Sequence, residues 1–188
     1  MMEMTALRKL AISLAALVLG ASAANAQSGW FITLAGGGNF AWEGLFNHDG
    51  SIGAKPGAFL EIGKYVGETF AIGAGVDGWS INNPRFFPDG INYLYIHANA
   101  YWDVTKDFTT MGDNPAVSFI PYLHLGGVVA SGSSFAGGIG IKAPIHLGKV
   151  VSIVPEIRST AMADAVFRNS GSGIIVVLAA SLGLSLAF

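Results

Sequence analysis

Between Trp30 and Phe188 the chain returns eight times to a period of two, the strand period, in which successive side chains point to opposite faces. In the first stretch Trp30, Ile32, Leu34, Gly36, Gly38 and Phe40 share one face, and Phe31, Thr33, Ala35, Gly37 and Asn39 share the other. The second sets Ala58, Leu60 and Ile62 against Phe59 and Glu61; the third sets Phe70, Ile72, Ala74 and Val76 against Gly73, Gly75 and Asp77. The fourth alternates most cleanly, with Leu94, Ile96, Ala98, Ala100 and Trp102 opposite Tyr93, Tyr95, His97, Asn99, Tyr101 and Asp103. In the fifth, Leu123 and Leu125 oppose Tyr122 and His124; in the sixth, Phe135, Ile139, Ile141 and Ile145 oppose Lys142. The seventh places Val151, Ile153 and Ile157 opposite Ser152, Glu156, Arg158 and Thr160. The last carries Ile174, Val176, Leu178, Ala180, Leu182, Leu184, Leu186 and Phe188 on one face.

An open sheet with so apolar a face would aggregate in water, and in lipid its edges would leave backbone groups unpaired at several kcal/mol each. Closure removes both problems, so the expected fold is all-β: an eight-stranded antiparallel transmembrane β-barrel, eight being an even number and the smallest usual size. Composition agrees, since 52% of residues are hydrophobic and 12% charged, against about 25% charged in ordinary soluble domains. Ten steps of strand from Trp30 to Phe40 rise about 33 Å, which a tilt of about 40° projects onto the apolar band of such barrels. Trp30, Phe70, Trp102 and Phe188 would mark one aromatic rim and Phe40, Trp42 and Phe135 the other. Pro121 and Pro155 are awkward in a sheet without edges, and a bulge is expected at Pro155.

Residues 1–26 read as a cleaved secretory signal peptide: Arg8-Lys9, a short apolar run over 10–19, and Ala24-Asn25-Ala26 as the cleavage site. A membrane anchor would need about 20 apolar residues. Beyond Ala26 the longest unbroken apolar run is 174–180, too short for a spanning helix. The expected organisation is therefore a signal peptide over 1–26 and an outer-membrane barrel domain over 27–188, in a Gram-negative bacterium. With both termini periplasmic, the outer loops fall near 42–55, 80–92, 130–134 and 163–172, and 105–117 becomes a long periplasmic connection.

Chemistry-bearing motifs are few. A formal charge of -2 gives no basic footprint for nucleic acid. The absence of cysteine removes disulfides, thiol catalysis and Cys-ligated zinc. Gly73 to Gly78 fits GxGxxG, but that motif must open a helix and here it runs within a strand. His48, His97, His124 and His146 show no metal-ligand spacing. His48-Asp49-Gly50-Ser51 is the one close grouping of triad-type residues, and adjacent loop residues rarely converge on one reacting atom. No catalytic, cofactor or metal site is expected.

The inward face is more informative. Glu61, Asp77, His97, Asp103, Lys142, Glu156 and Arg158 all lie on it. A barrel this narrow is just wide enough for side chains to fill, so these groups should form a polar network across the lumen. If the turn between the sixth and seventh strands centres near Gly148, Glu156 faces Gly140, Lys142 is its diagonal neighbour, and Arg158 reaches across toward another acid. Arg85, Phe86 and Phe87, in an outer loop, form a candidate surface contact for an extracellular ligand.

The segments Asn92-Tyr-Leu-Tyr-Ile-His-Ala-Asn-Ala-Tyr-Trp-Asp103, Phe119-Ile-Pro-Tyr-Leu-His-Leu-Gly126, Pro155-Glu-Ile-Arg158 and Ser181-Leu-Gly-Leu-Ser-Leu-Ala-Phe188 resemble the small OmpA-type outer-membrane β-barrel proteins. The resemblance covers the barrel domain only, with no peptidoglycan-binding domain. It implies that Phe188 is the signal read by the outer-membrane assembly machinery, and that Glu156 and Arg158 interact inside the barrel. The expected function is a non-enzymatic structural or surface-interaction role, with outer-membrane lipids as surroundings; a lipid-modifying enzyme and a narrow pore are the alternatives.

Overall fold

A computed structural model describes residues 29–43, 55–83, 87–105, 116–163 and 174–188. Its strands are β1 (Trp30–Glu43), β2 (Lys55–Tyr65), β3 (Phe70–Asn83), β4 (Phe87–Trp102), β5 (Ile120–Val129), β6 (Ser133–Lys142), β7 (Ile145–His146), β8 (Val151–Ala163) and β9 (Ile174–Ala187). Every pairing is antiparallel, neighbours in sequence pair with one another except β6 and β7, which both pair β8, and β1 pairs β9 from Phe31↔Ala187 to Glu43↔Ile175, which closes the sheet. Trp30 and Phe188 exchange both backbone hydrogen bonds, at 3.1 and 2.9 Å, and seal that seam at its end. β6 and β7 are two pieces of one stave, so the molecule is an eight-stranded barrel. The rim where β1 begins and β9 ends is called the lower rim below.

Alternation decides which side chains fill this barrel. On β5, His124 is 3% exposed while its neighbours Leu123 and Leu125 are 63% and 66% exposed. The same contrast separates Tyr95 from Leu94 and Ile96, and Glu61 from Leu60 and Ile62. The outward set is aliphatic along its length, a surface that requires lipid rather than water. At the lower rim Phe70 and Trp102 stack at 6.1 Å and Lys64 sits 5.2 Å from the Trp30 ring; at the upper rim Phe135 is the most exposed large apolar side chain among the described residues, at 83%. The side chains of Phe40 and Trp42 lie outside the described residues.

Several inward glycines are explained by the rings above them. A Cβ on Gly57 would meet the Trp79 ring at 2.0 Å, one on Gly75 the His97 ring at 2.6 Å, and one on Gly140 the Tyr122 ring at 2.4 Å. Each glycine lets a large inward ring lie flat against the opposite strand, and the lumen fills without widening.

Three expectations need correction. No bulge occurs at Pro155: the register runs unshifted from Lys142↔Glu156 to Ile145↔Ile153, and from Val151↔Leu186 to Ala163↔Ile174. In an antiparallel ladder a residue's N–H and C=O face the same neighbour. Pro155 O accepts from Ala143 N at 3.0 Å, so the missing donor also faces Ala143, where Ala143 and Pro144 already interrupt β6 and β7. Pro121 lies one residue past Tyr101↔Tyr122, where the β4–β5 ladder ends. The one register shift recorded in β3–β4 lies between Ile81 and Asn83.

The second correction is the register of the β6/β7–β8 hairpin. Leu147 N donates to Val151 O at 2.9 Å, which centres the turn one residue later than Gly148. Glu156 therefore stands directly opposite Lys142, and Gly140 opposite Arg158. The third is the span 80–92, which is mostly strand: β3 runs to Asn83 and β4 begins at Phe87.

Candidate functional site

The inward polar residues meet in a closed circuit across the middle of the lumen. Arg158 Nη2 lies 2.5 Å from Asp77 Oδ2, and Asp77 Oδ1 lies 3.1 Å from His97 Nε2. His97 Nδ1 is 2.6 Å from Asn99 Oδ1, and Asn99 Nδ2 donates to Glu61 Oε2 at 3.1 Å. Glu61 takes the Lys142 ammonium on its other oxygen. Lys142 Nζ is 3.7 Å from Glu156 Oε2, and Glu156 Oε1 is 4.0 Å from Arg158 Nε, which completes the ring. Tyr122 on β5 donates to Glu156 at 2.5 Å, so β2, β3, β4, β5, β6 and β8 are all tied together.

Aromatic faces hold the two cations. Lys142 Nζ is 5.0 Å from the Tyr101 ring and 5.3 Å from that of Tyr122; Arg158 Cζ is 5.4 Å from the Phe59 ring and 6.0 Å from that of Trp79. These contacts supplement imperfect pairing, because Arg158 Nε and Nη1 and Glu156 Oε2 have no aligned hydrogen-bond partner. His124 extends the network sideways: Nδ1 is 2.9 Å from Tyr95 OH and Nε2 is 3.1 Å from Ser159 O.

The space on either side of the ring differs. Above it Phe59, Trp79, Tyr93, Tyr95, Val128, Met162, Ile175 and Val177 pack into one buried cluster. Below it a cavity of about 610 Å³ extends to the lower rim, with Lys142 among its lining residues. One side of this vestibule carries Phe31, Tyr65 and Tyr101, another Ser118, His146 and Ser152. His146 bridges the two serines, its Nε2 2.9 Å from Ser118 Oγ and its Nδ1 2.8 Å from Ser152 Oγ.

Among the residues singled out from sequence, Glu61, Asp77, His97, Lys142, Glu156 and Arg158 form the ring. Asp103 lines the vestibule, where its carboxylate accepts Thr105 N–H at 3.2 Å. Asn99, Tyr122, Tyr95 and His124 were not singled out, although all four sit on inward positions and inward glycines faced two of the rings concerned. Arg85 and Phe86 lie outside the described residues, as do His48, Asp49, Gly50, Ser51, residues 1–26 and the connection over 106–115. Phe87 opens β4, and its side chain is not described. Among the described residues no three His, Asp or Glu converge as a metal-binding group.

The chain matches no protein-family profile and no curated protein. Its fold does have solved counterparts. It is similar to Neisserial surface protein A, with a TM-score of 0.61 and 13% identity over 86% of this chain and 98% of that one. It is similar also to Ail, the attachment invasion locus protein of Yersinia pestis, with a TM-score of 0.55 and 12% identity over 86% of this chain and 100% of Ail. Outer membrane protein AlkL, solved in lipid bilayers, gives a TM-score of 0.51 and 12% identity over 88% of this chain and 92% of that one. The architecture is thus that of the small eight-stranded OmpA-type barrels.

Proposed function

We propose that the chain is an outer-membrane barrel of a Gram-negative envelope that acts through its presence in the membrane and its exposed surface, without catalysis or transport. The polar ring is the observation that carries this reading: linked charges and rings on six of the eight staves occupy the middle of the lumen, and a packed cluster lies above them. In so narrow a barrel, groups that cross-link the interior leave side chains where a channel would run.

The remaining assignments belong to the same proposal. Residues 1–26 act as the export signal. Phe188, held to Trp30 across the closing seam, is read by the assembly machinery. The lower rim faces the periplasm, and the connections 44–54, 84–86 and 164–173 leave from the opposite, outer rim. Arg85, Phe86 and Phe87 there contact an extracellular ligand. Ail has been solved with the heparin analogue sucrose octasulfate, which supports anionic surface ligands as the first class to try.

Conductance of single barrels in planar lipid bilayers tests the proposal. Bilayers holding the wild-type protein are expected to show no discrete current steps, and stable steps would instead establish the narrow-pore reading. On intact cells an impermeant maleimide is expected to label Ser131→Cys, in the β5–β6 turn, and to spare Lys149→Cys; the opposite pattern would invert the topology.

A further inference from the structure

We propose that the vestibule below the polar ring is a binding site for a saccharide of one or two rings, entering from the lower rim. Its volume, about 610 Å³, falls within the range of roughly 300–1,000 Å³ typical of ligand clefts. Its blind end is Lys142, already held by Glu61 and Glu156, so the site has no unsatisfied full charge at its ceiling for an ion to neutralise.

The chemistry of the two walls selects the ligand. A Cβ on Gly63 would fall 2.3, 2.7 and 2.9 Å from Cζ, Cε1 and Cε2 of Phe31, so the Phe31 ring lies flat over that glycine while remaining only partly buried at the cavity edge. Tyr101 meets it edge-on at 5.6 Å and Tyr65 tilts against it at 6.0 Å, which fixes the ring as a platform. Phe31 is on β1 and Ser118 lies two residues before β5; in the order of staves these are diametrically opposed. A hydroxylic wall runs from that opposite stave back round to the platform: Ser118 and Ser152 are joined through His146, and Ser185 on β9 is bonded at 2.9 Å to Thr33 on the platform's own strand.

A hydroxyl has one donor and two acceptor positions, so the serines keep capacity beyond the bonds they make to His146. An apolar ligand would strand those hydroxyls, at a cost of about 1–3 kcal/mol for each group left unsatisfied. An ion of either sign would meet the aromatic wall, the already paired Lys142 and a like charge, since Asp103 and Lys149 both line the cavity. A sugar ring matches both sides: its C–H face carries partial positive charge and lies on the negative face of an aromatic ring, while its hydroxyls face the serine and imidazole wall.

The test uses the full barrel refolded in detergent micelles, followed by backbone amide NMR during titration with maltose, cellobiose and chitobiose, with glycerol as a polyol control. At least one disaccharide is expected to give saturable shifts at Phe31, Ser152 and Ser185 with a Kd of about 1 mM, and glycerol none. Phe31→Leu, which keeps apolar bulk but removes the ring face, is expected to weaken binding about tenfold; Ser152→Ala checks the hydroxylic wall and is expected to weaken it about threefold. Heat-dependent gel migration verifies that each variant is folded. A soluble maltodextrin at equal end-group concentration separates the two sources of such a ligand: shifts equal to those of maltose assign the end of a longer glycan, and weaker shifts assign the free saccharide. No saturation with any disaccharide up to about 100 mM, or unchanged binding by folded Phe31→Leu, overturns the proposal while leaving the closed ring above untouched.

Discussion

The two halves of the lumen are built on the same staves and the same alternation, yet one is filled and the other hollow. Above and within the polar ring the inward positions hold Trp79, Tyr93, Tyr95, His97, Tyr122 and Arg158, several of them laid over glycines on the facing strand. Below the ring the inward positions include the small residues Thr33, Ala71, Ser118, Ser152, Ser185 and Ala187 facing into the space beside the Phe31, Tyr65 and Tyr101 rings, and about 610 Å³ stays open. Strand number sets the width of a barrel; the size of the inward residues decides whether that width becomes a plug or a vestibule. Charge follows the same division. The linked ions stand where rings and partners surround them, and the hollow half combines hydroxyls and small residues with one aromatic wall, with Asp103 and Lys149 in its lining.

If the filled half is held by its ring of charges, the largest losses should come from breaking one pair there. Arg158→Met leaves Asp77 and Glu156 without their shared cation, and in a folding titration in lipid vesicles it is expected to cost about 3 to 5 kcal/mol. Adding Asp77→Asn should recover part of that loss, since fewer unpaired charges then remain; additive losses would mean that the two side chains do not share a network. Next comes the lipid face, where height also matters. Leu182→Arg, at a 61% exposed position well inside the band, is expected to cost about 2 to 4 kcal/mol, and Leu186→Arg, near the lower rim, about 0 to 1. Equal costs would contradict the placement of β9.

Smaller effects separate the halves from inside. Gly140→Ala drives a methyl into the Tyr122 ring and pulls that ring from Glu156; it is expected to cost about 1 to 3 kcal/mol, whereas Gly78→Ala, with open space around it, should be near neutral. Smallest of all, Ser152→Ala in the vestibule should change stability by no more than about 0.5 kcal/mol. A loss there as large as that of Gly140→Ala would show that the lower half is packed too, and the comparison would fail.

Alternation made the faces legible in the sequence. Every residue chosen for the inner polar set that is described here is inward, because one step of register would have moved them all to lipid. Partners were less legible for the same reason. A slip of two residues keeps each side chain on its face, so the pattern could not distinguish Gly140 from Lys142 as the residue opposite Glu156; the turn closed by Leu147 and Val151 decides it. The bond from Lys142 to Glu61 joins strands that are not neighbours in the wall, and no local pattern encodes such a contact. Glycine was the overlooked signal. Gly57, Gly75 and Gly140 mark places where Trp79, His97 and Tyr122 lie down, and such pairs give the lumen its filling before any distance is known.

Reactivity of single inward cysteines tests the division of the lumen most directly. Ser185 lines the vestibule and Val177, higher on the same strand, is 1% exposed within the upper cluster. With the barrel inserted in lipid vesicles and a small water-soluble thiosulfonate supplied in turn to each side, Ser185→Cys is expected to react only from the lower rim and Val177→Cys from neither. Rapid modification of Val177→Cys from either side would mean that water passes the polar ring, and the lumen would have to be redrawn as a continuous channel.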